Sequence, residues 1–149
     1  TGTFGRSGAA VALFEDGDVE RANELFRFKP RVATGQAIAP HASAMMDSSD
    51  GLARSLHQLA EASDSGMAIS HADVPVAPAV ESIASTDIEK REHALHFGED
   101  FELVCTVPEA ELGEDVDEAA DNLVRIGTVT DDDEGRRDGE LLPDRGFNH

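Results

Sequence analysis

The chain has no tryptophan, no tyrosine and a single cysteine among its 149 residues. One thiol cannot form an intramolecular disulfide framework. Cys105 also sits inside Glu102-Leu103-Val104-Cys105-Thr106-Val107, which reads as a strand, so a buried structural thiol is expected and not a nucleophile. No apolar run approaches the roughly 20 residues of a membrane span, and no signal peptide opens the chain. A cytoplasmic protein is expected. Basic residues are scarce: 12 Lys and Arg face 31 Asp and Glu, a formal net charge of −19 with pI near 4.4, and Lys29 and Lys90 are the only lysines. That balance argues against nucleic acid and anionic membranes as partners. It matches salt adaptation, because at molar salt the Debye length shrinks to about 3 Å and self-repulsion is screened.

What is present is enough for one domain. A chain of this length can bury roughly two-thirds of its unfolded surface. Recurrent apolar runs such as Leu123-Val124-Arg125-Ile126 argue for a packed, aliphatic core despite the charge. Ala9–Phe14 reads as a helix, Asp18 as the cap of a second helix through Phe26, and Lys29-Pro30-Arg31 as a break. Ser43–Asp47 reads as a short strand, followed by a helix over Gly51–Ser63 in which Leu52, Leu56, Leu59 and Ala60 share one face. A strand at Met67–Ser70, a weak helix at Ala79–Ala84 and a charged one at Asp87–Leu95 come next. Glu102–Val107 is a strand, Asp115–Asn122 an acidic helix, Leu123–Val129 a strand, Asp131–Gly139 a loop and Glu140–Leu142 a last short strand. Alternation of this kind, without repeats, predicts an α/β (α+β) sandwich over residues 1–149, with helices on a mixed, mostly antiparallel sheet.

Three runs stand out. Asp47-Ser48-Ser49-Asp50-Gly51-Leu52 lies between a strand end and a helix start, where free N–H groups and the helix dipole attract anions. Two carboxylates about 5 Å apart would repel by about 3 kcal/mol at an effective dielectric near 20, and a divalent cation would reverse the sign. Local physics alone favours a plainer reading, in which Ser49 or Asp50 caps the helix and Asp47 is merely solvated. The second run is His96-Phe97-Gly98-Glu99-Asp100-Phe101-Glu102-Leu103-Val104, where a solvated turn is the default for Glu99 and Asp100. The third is the ending Arg145-Gly146-Phe147-Asn148-His149. Other candidates fail on spacing. The early glycines lack the Gly-Lys-Ser/Thr of a phosphate loop, and Asp131–Glu134 does not fit a calcium-binding loop. His93 and His96 lack a nearby third ligand.

Taken in order, Thr1-Gly2-Thr3-Phe4-Gly5, Pro30-Arg31, Asp47-Ser48-Ser49-Asp50-Gly51-Leu52, Gly98-Glu99-Asp100-Phe101-Glu102-Leu103 and Gly146-Phe147-Asn148-His149 resemble the C-terminal half of the thiamine-monophosphate kinases. That family lies in the aminoimidazole-ribonucleotide-synthetase-like superfamily. The resemblance spans essentially the whole chain, and the opening without Met is what an excised domain would show. It implies the C-terminal domain of that superfamily's fold, which closes over an N-terminal half that is absent here, dimerises, and holds most of the nucleotide and metal site. It further implies transfer of the γ-phosphoryl group of ATP onto thiamine monophosphate with several Mg²⁺ ions. Carried over by motif, Asp47 and Asp50 would be Mg²⁺ ligands and Ser49 an ATP contact. Glu99 and Phe147 would bind the substrate's aminopyrimidine. Two positions depart from the pattern: Ser55, where the family often has an acidic residue, and Phe101, where it often has Tyr. Another ATP-using member of the superfamily and a non-catalytic acidic binding domain are the alternatives.

Overall fold

Why each segment folds as it does is visible in its caps and its buried face. The computed structural model describes residues 1–113, 116, 123–132 and 134–146. Helix α1, Arg6–Glu15, starts three residues earlier than its apolar run suggests, behind Gly5 at φ 86°. Helix α2, Val19–Phe26, begins as expected at Asp18, whose carboxylate accepts from the Arg21 N–H. After the Pro30 break comes a helix with no expectation behind it, α3, Val32–Ile38, which buries only Ile38. Strand β1, Ala44–Asp47, and helix α4, Leu52–Ser63, follow the expected unit, and α4 buries Leu52, Leu56 and Leu59 on one face. Strand β2 is Gly66–Ile69, and α5, Pro78–Ile83, opens with proline at its first position. Helix α6, Asp87–His96, carries a full capping box between Thr86 and Glu89.

Strand β3, Leu103–Thr106, pairs antiparallel with β1, setting Asp47 opposite Leu103. The second sheet has the order β4-β2-β5-β6, with β4 Gly127–Thr130, β5 Gly135–Arg137 and β6 Glu140–Leu141. Its β2–β4 and β5–β6 pairs are antiparallel and β2–β5 is parallel, so the mixed, mostly antiparallel α/β arrangement expected from the sequence holds. Two expectations are corrected. The strand expected over Leu123–Val129 begins only at Gly127, and β5 lies inside what reads as the hydrophilic loop Asp131–Gly139. Backbone pairing with β2, which needs no apolar side chain, makes β5. Of the expected acidic helix over Asp115–Asn122 only Val116 is described; the rest lies outside the described residues.

Helix α4 packs against both sheets, and α1 packs against α2, α5 and α6. The main core gathers Leu52, Leu56, Leu95, Ile69 and Val104, with Phe4 its one aromatic side chain. Among the described residues, Phe14, Phe26, Phe28 and Phe101 are exposed. The aliphatic core is as expected; the outward display of phenylalanine is not.

Candidate active site

The three sequence runs meet at one corner, where β1 ends and β3 and α4 begin. The Ser48 N–H donates to the Glu102 carbonyl at 2.8 Å. In return, the Ser48 carbonyl accepts from the Phe101 N–H at 3.0 Å, and the Ser49 carbonyl accepts from the Glu99 N–H at 2.6 Å. The two loops are thus zipped by backbone. Glycine is required at Gly98, where φ is 88° and a Cβ would stand 2.6 Å from the Ser49 carbonyl oxygen. Gly146 touches the same loop from the other side, and a Cβ there would collide with the Asp50 carbonyl oxygen.

Within the first run, Asp47 is exposed, Ser48 fully buried, and Ser49 and Asp50 half-buried. The Ser49 hydroxyl donates to Asp50 Oδ1 at 3.3 Å. The N-cap of α4 is Gly51, which has no side chain, so the cap position falls one residue after Asp50 and two after Ser49. Asp47 borders a groove with Phe28, Val32 and Phe101. The Ser48 hydroxyl is buried and has no hydrogen-bond partner among the described residues.

The second run splits by alternation. Glu99 and Phe101 face outward, whereas Asp100 and Glu102 are 2 % and 3 % exposed. Asp100 is therefore not the solvated turn residue it resembles. Its Oδ2 accepts from the Gly5 N–H at 2.6 Å and its Oδ1 from the Ser7 N–H at 2.9 Å, so it caps α1 from a distant loop. Burial raises the Asp100 pKa, opposed by the hydrogen bonds from Ser7 and Gly5 and by the charge of Arg6. Glu102 is held bidentately by Arg31, Nε to Oε2 at 2.7 Å and a terminal nitrogen to Oε1 at 2.8 Å, with the Thr1 hydroxyl on Oε2. Burial pushes the Glu102 pKa up, but the hydrogen bonds from Arg31 and Thr1 outweigh it and the net shift is downward. Glu99 and Phe101 hold φ at 57° and 53°, a left-handed conformation unusual for non-glycine residues. The Asp100 clamp between them keeps the loop in that shape.

These contacts leave Glu99 as an exposed carboxylate with no hydrogen-bond or ion-pair partner among the described residues, beside the loop of Ser49 and Asp50. Phe147 lies outside the described residues; the backbone at Gly146 brings the chain to that corner. No group of three or more His, Cys, Asp or Glu able to hold a metal occurs among the described residues. An all-oxygen pair, Asp47 with Asp50, is nevertheless the donor set a hydrated Mg²⁺ takes when substrate phosphates complete its shell. His93 and His96 diverge: His96 Nδ1 lies 3.1 Å from the Arg145 carbonyl, and His93 is turned toward Gly8. Burial raises the pKa of half-buried Cys105, which keeps it a thiol. The reading by motif missed Arg31, Arg6 and Thr1 as partners of the acidic run. An alternating pattern of acids leading into a buried strand was the one available signal.

Known proteins resemble this chain in sequence and in fold. A thiamine-monophosphate kinase of Halobacterium salinarum is 50% identical over 150 residues, which cover 100% of this chain and 51% of that protein. The crystal structure of a thiamine-monophosphate kinase from Stenotrophomonas maltophilia K279a superposes with a TM-score of 0.82 at 26% identity, covering 94% of this chain and 49% of that one. AaThiL complexed with AMPPCP and TMP shares the fold, with a TM-score of 0.83 at 24% identity over 100% of this chain and 49% of that one. The chain thus spans about half the length of the relatives it matches. Residues 1–139 match the family described as AIR synthase related protein, C-terminal domain, and the chain belongs to that family.

Proposed function

We propose that this chain is the C-terminal half of a thiamine-monophosphate kinase, which transfers the γ-phosphoryl group of ATP to the phosphate of thiamine monophosphate. The observation that carries the reading is the convergence of the Asp47–Gly51, Gly98–Glu102 and Gly146 runs at one corner. The likeness to kinases of that name over the whole chain supports it, as does an AaThiL complex with AMPPCP and TMP. Asp47 and Asp50 would hold Mg²⁺, and Ser49 would contact an ATP phosphate beside the N-terminus of α4. Mg²⁺ bound there would neutralise two polyanionic reactants and favour their in-line alignment. A phosphate oxygen of thiamine monophosphate forms the new bond to the γ-phosphorus as the bond to ADP breaks. Glu99, exposed and unpaired, would accept a hydrogen bond from the aminopyrimidine, and Phe147 would pack on its ring.

The reading extends to a cytoplasmic enzyme that is a homodimer through its other half, and to salt adaptation as the reason for 31 acidic residues. No helix among the described residues is long and apolar enough to cross a membrane. The test is product analysis with the full-length protein, ATP, Mg²⁺ and thiamine monophosphate in molar KCl. Thiamine diphosphate and ADP should appear in equal amounts and vanish on chelation, and the 149-residue chain alone should form none. A folded full-length protein that makes no thiamine diphosphate would defeat the proposal.

A further inference from the structure

The Glu99 side chain has no partner among the described residues, but its backbone is held on both sides. The Glu99 N–H donates to the Ser49 carbonyl at 2.6 Å, and the Glu99 carbonyl accepts from the Ser7 hydroxyl, also at 2.6 Å. The next carbonyl along, that of Asp100, accepts from a terminal nitrogen of Arg6 at 2.9 Å. Phe101 closes the stretch, its N–H donating to the Ser48 carbonyl at 3.0 Å. Backbone groups from Glu99 to Phe101 are thus held between two walls, the loop of Ser48 and Ser49 on one side and the first turn of α1 on the other.

The helix itself needs neither side chain there. Its N-cap is Gly5, and the N–H groups of Gly5 and Ser7 are taken by the Asp100 carboxylate. Ser7 is 4% exposed in the first turn, where alanine would suit the helix better. Its hydroxyl has one proton to give. The Asp100 carboxylate beside it is already served by backbone N–H groups, and the proton goes to the Glu99 carbonyl. Arg6, in a chain of 31 acids, gives its terminal nitrogen to a carbonyl, and its guanidinium is fixed 4.6 Å from the Phe28 ring centroid. What these two bonds restrain is a strained loop, with φ of 57° at Glu99 and 53° at Phe101, against the preference of any residue with a Cβ. Released from its donors, such a loop relaxes and carries the Glu99 carboxylate with it. A shift of about 1 Å takes an acceptor out of hydrogen-bond range. We infer that Ser7 and Arg6 are positioning residues for substrate recognition: by holding the Glu99 and Asp100 carbonyls they aim the Glu99 carboxylate at the aminopyrimidine. The inference rests on the kinase reading, in which Glu99 meets that ring.

The test is a double-mutant cycle in the full-length protein, with kcat and the KM values for thiamine monophosphate and ATP measured for Ser7→Ala, Glu99→Ala and the two together. Ser7→Ala removes the hydroxyl and keeps the N–H that Asp100 accepts, so the clamp on α1 stays. The KM for thiamine monophosphate should rise about tenfold, as when one hydrogen bond to a charged acceptor is lost, while kcat and the KM for ATP change by less than about twofold. On the Glu99→Ala background the same substitution should raise that KM by less than about twofold, because the group it aims is gone. An unchanged KM in folded Ser7→Ala, or a rise that persists in full without the Glu99 carboxylate, overturns the inference: the hydroxyl then serves the fold alone. If Ser7→Ala does not fold, Arg6→Met takes its place in the cycle, with the same expected rise and the same result against it. If neither folds, the two side chains hold the domain and not the loop, and the inference falls. A wild-type protein that makes no thiamine diphosphate overturns the kinase reading and this inference with it, whereas an active wild type with additive variants overturns the inference alone.

Discussion

The two sheets use charge in opposite ways. At the β1–β3 end, charge is buried and fully engaged: Glu102 is 5% and Arg31 29% exposed by side chain, and both oxygens of Asp100 accept backbone N–H groups. Around the β4-β2-β5-β6 sheet, ion pairs such as Arg136 with Glu134 and Arg54 with Asp144 lie open to solvent, each side chain at least 36% exposed. Exposed pairs contribute little, while a buried carboxylate stripped of its partner is costly. The difference teaches that the acidic surplus is mostly a solvated coat with a few helix caps such as Asp18 and Glu89, and that its buried carboxylates hold the loops of the candidate site.

Breaking the buried pair should give the largest stability effect. Arg31→Ala strands Glu102 in a site 3% exposed and should cost about 3 kcal/mol, measured by denaturant unfolding of the full-length protein. A cost below about 1 kcal/mol would erase the contrast between the two ends.

Acid titration sharpens the contrast within the site itself. The pKa of Glu102 is lowered by folding, so its contribution is present above the ordinary carboxylate range and is lost as pH falls through the depressed value. Asp100, raised by burial, has the opposite sign: the folded state takes up its proton first, so its contribution grows as pH falls through the raised value. Glu102→Gln should therefore flatten the loss of stability in acid and Asp100→Asn should steepen it. Unfolding free energies measured across the acid range check both slopes; equal slopes in the two variants would contradict the assignment.

The smallest effect belongs to the other sheet. Arg136→Ala removes exposed pairs to Glu134 and Asp132, and should change stability by no more than about 1 kcal/mol. A loss as large as that of Arg31→Ala would mean that β5 is held by charge and not by its pairing with β2.

How much of this was legible depends on whether the deciding contact is local. Helix α4, α2 behind Asp18, and strands β1 and β3 follow from periodicity and neighbouring residues. Helix α3 does not, because Val32–Ile38 buries one side chain and carries Gly35 in its middle. Strand β5 does not, because Gly135-Arg136-Arg137 is a strand only by virtue of β2 beside it. The candidate residues Asp47, Ser49, Asp50 and Glu99 could be named from motif, and of these Asp47 and Glu99 are exposed while Ser49 and Asp50 are half-buried. The role of Asp100 could not, since its partners Gly5 and Ser7 lie 95 and 93 residues away.

The central claim is that this corner divides its carboxylates into those that react with ligands and those that hold the loops. Parallel measurement of turnover and thermal midpoint for Asp50→Asn and Asp100→Asn in the full-length protein tests it most directly. Asn keeps the size and much of the hydrogen bonding of Asp50 while removing the charge a Mg²⁺ needs, so turnover should fall on the order of a hundredfold or more with the midpoint nearly unchanged. Asp100→Asn exchanges one of the two acceptors at the start of α1 for a donor, and should lower the midpoint by several degrees, roughly 1–2 kcal/mol. Near-normal turnover of Asp50→Asn at saturating Mg²⁺, or a midpoint that falls for Asp50→Asn and not for Asp100→Asn, would contradict the account.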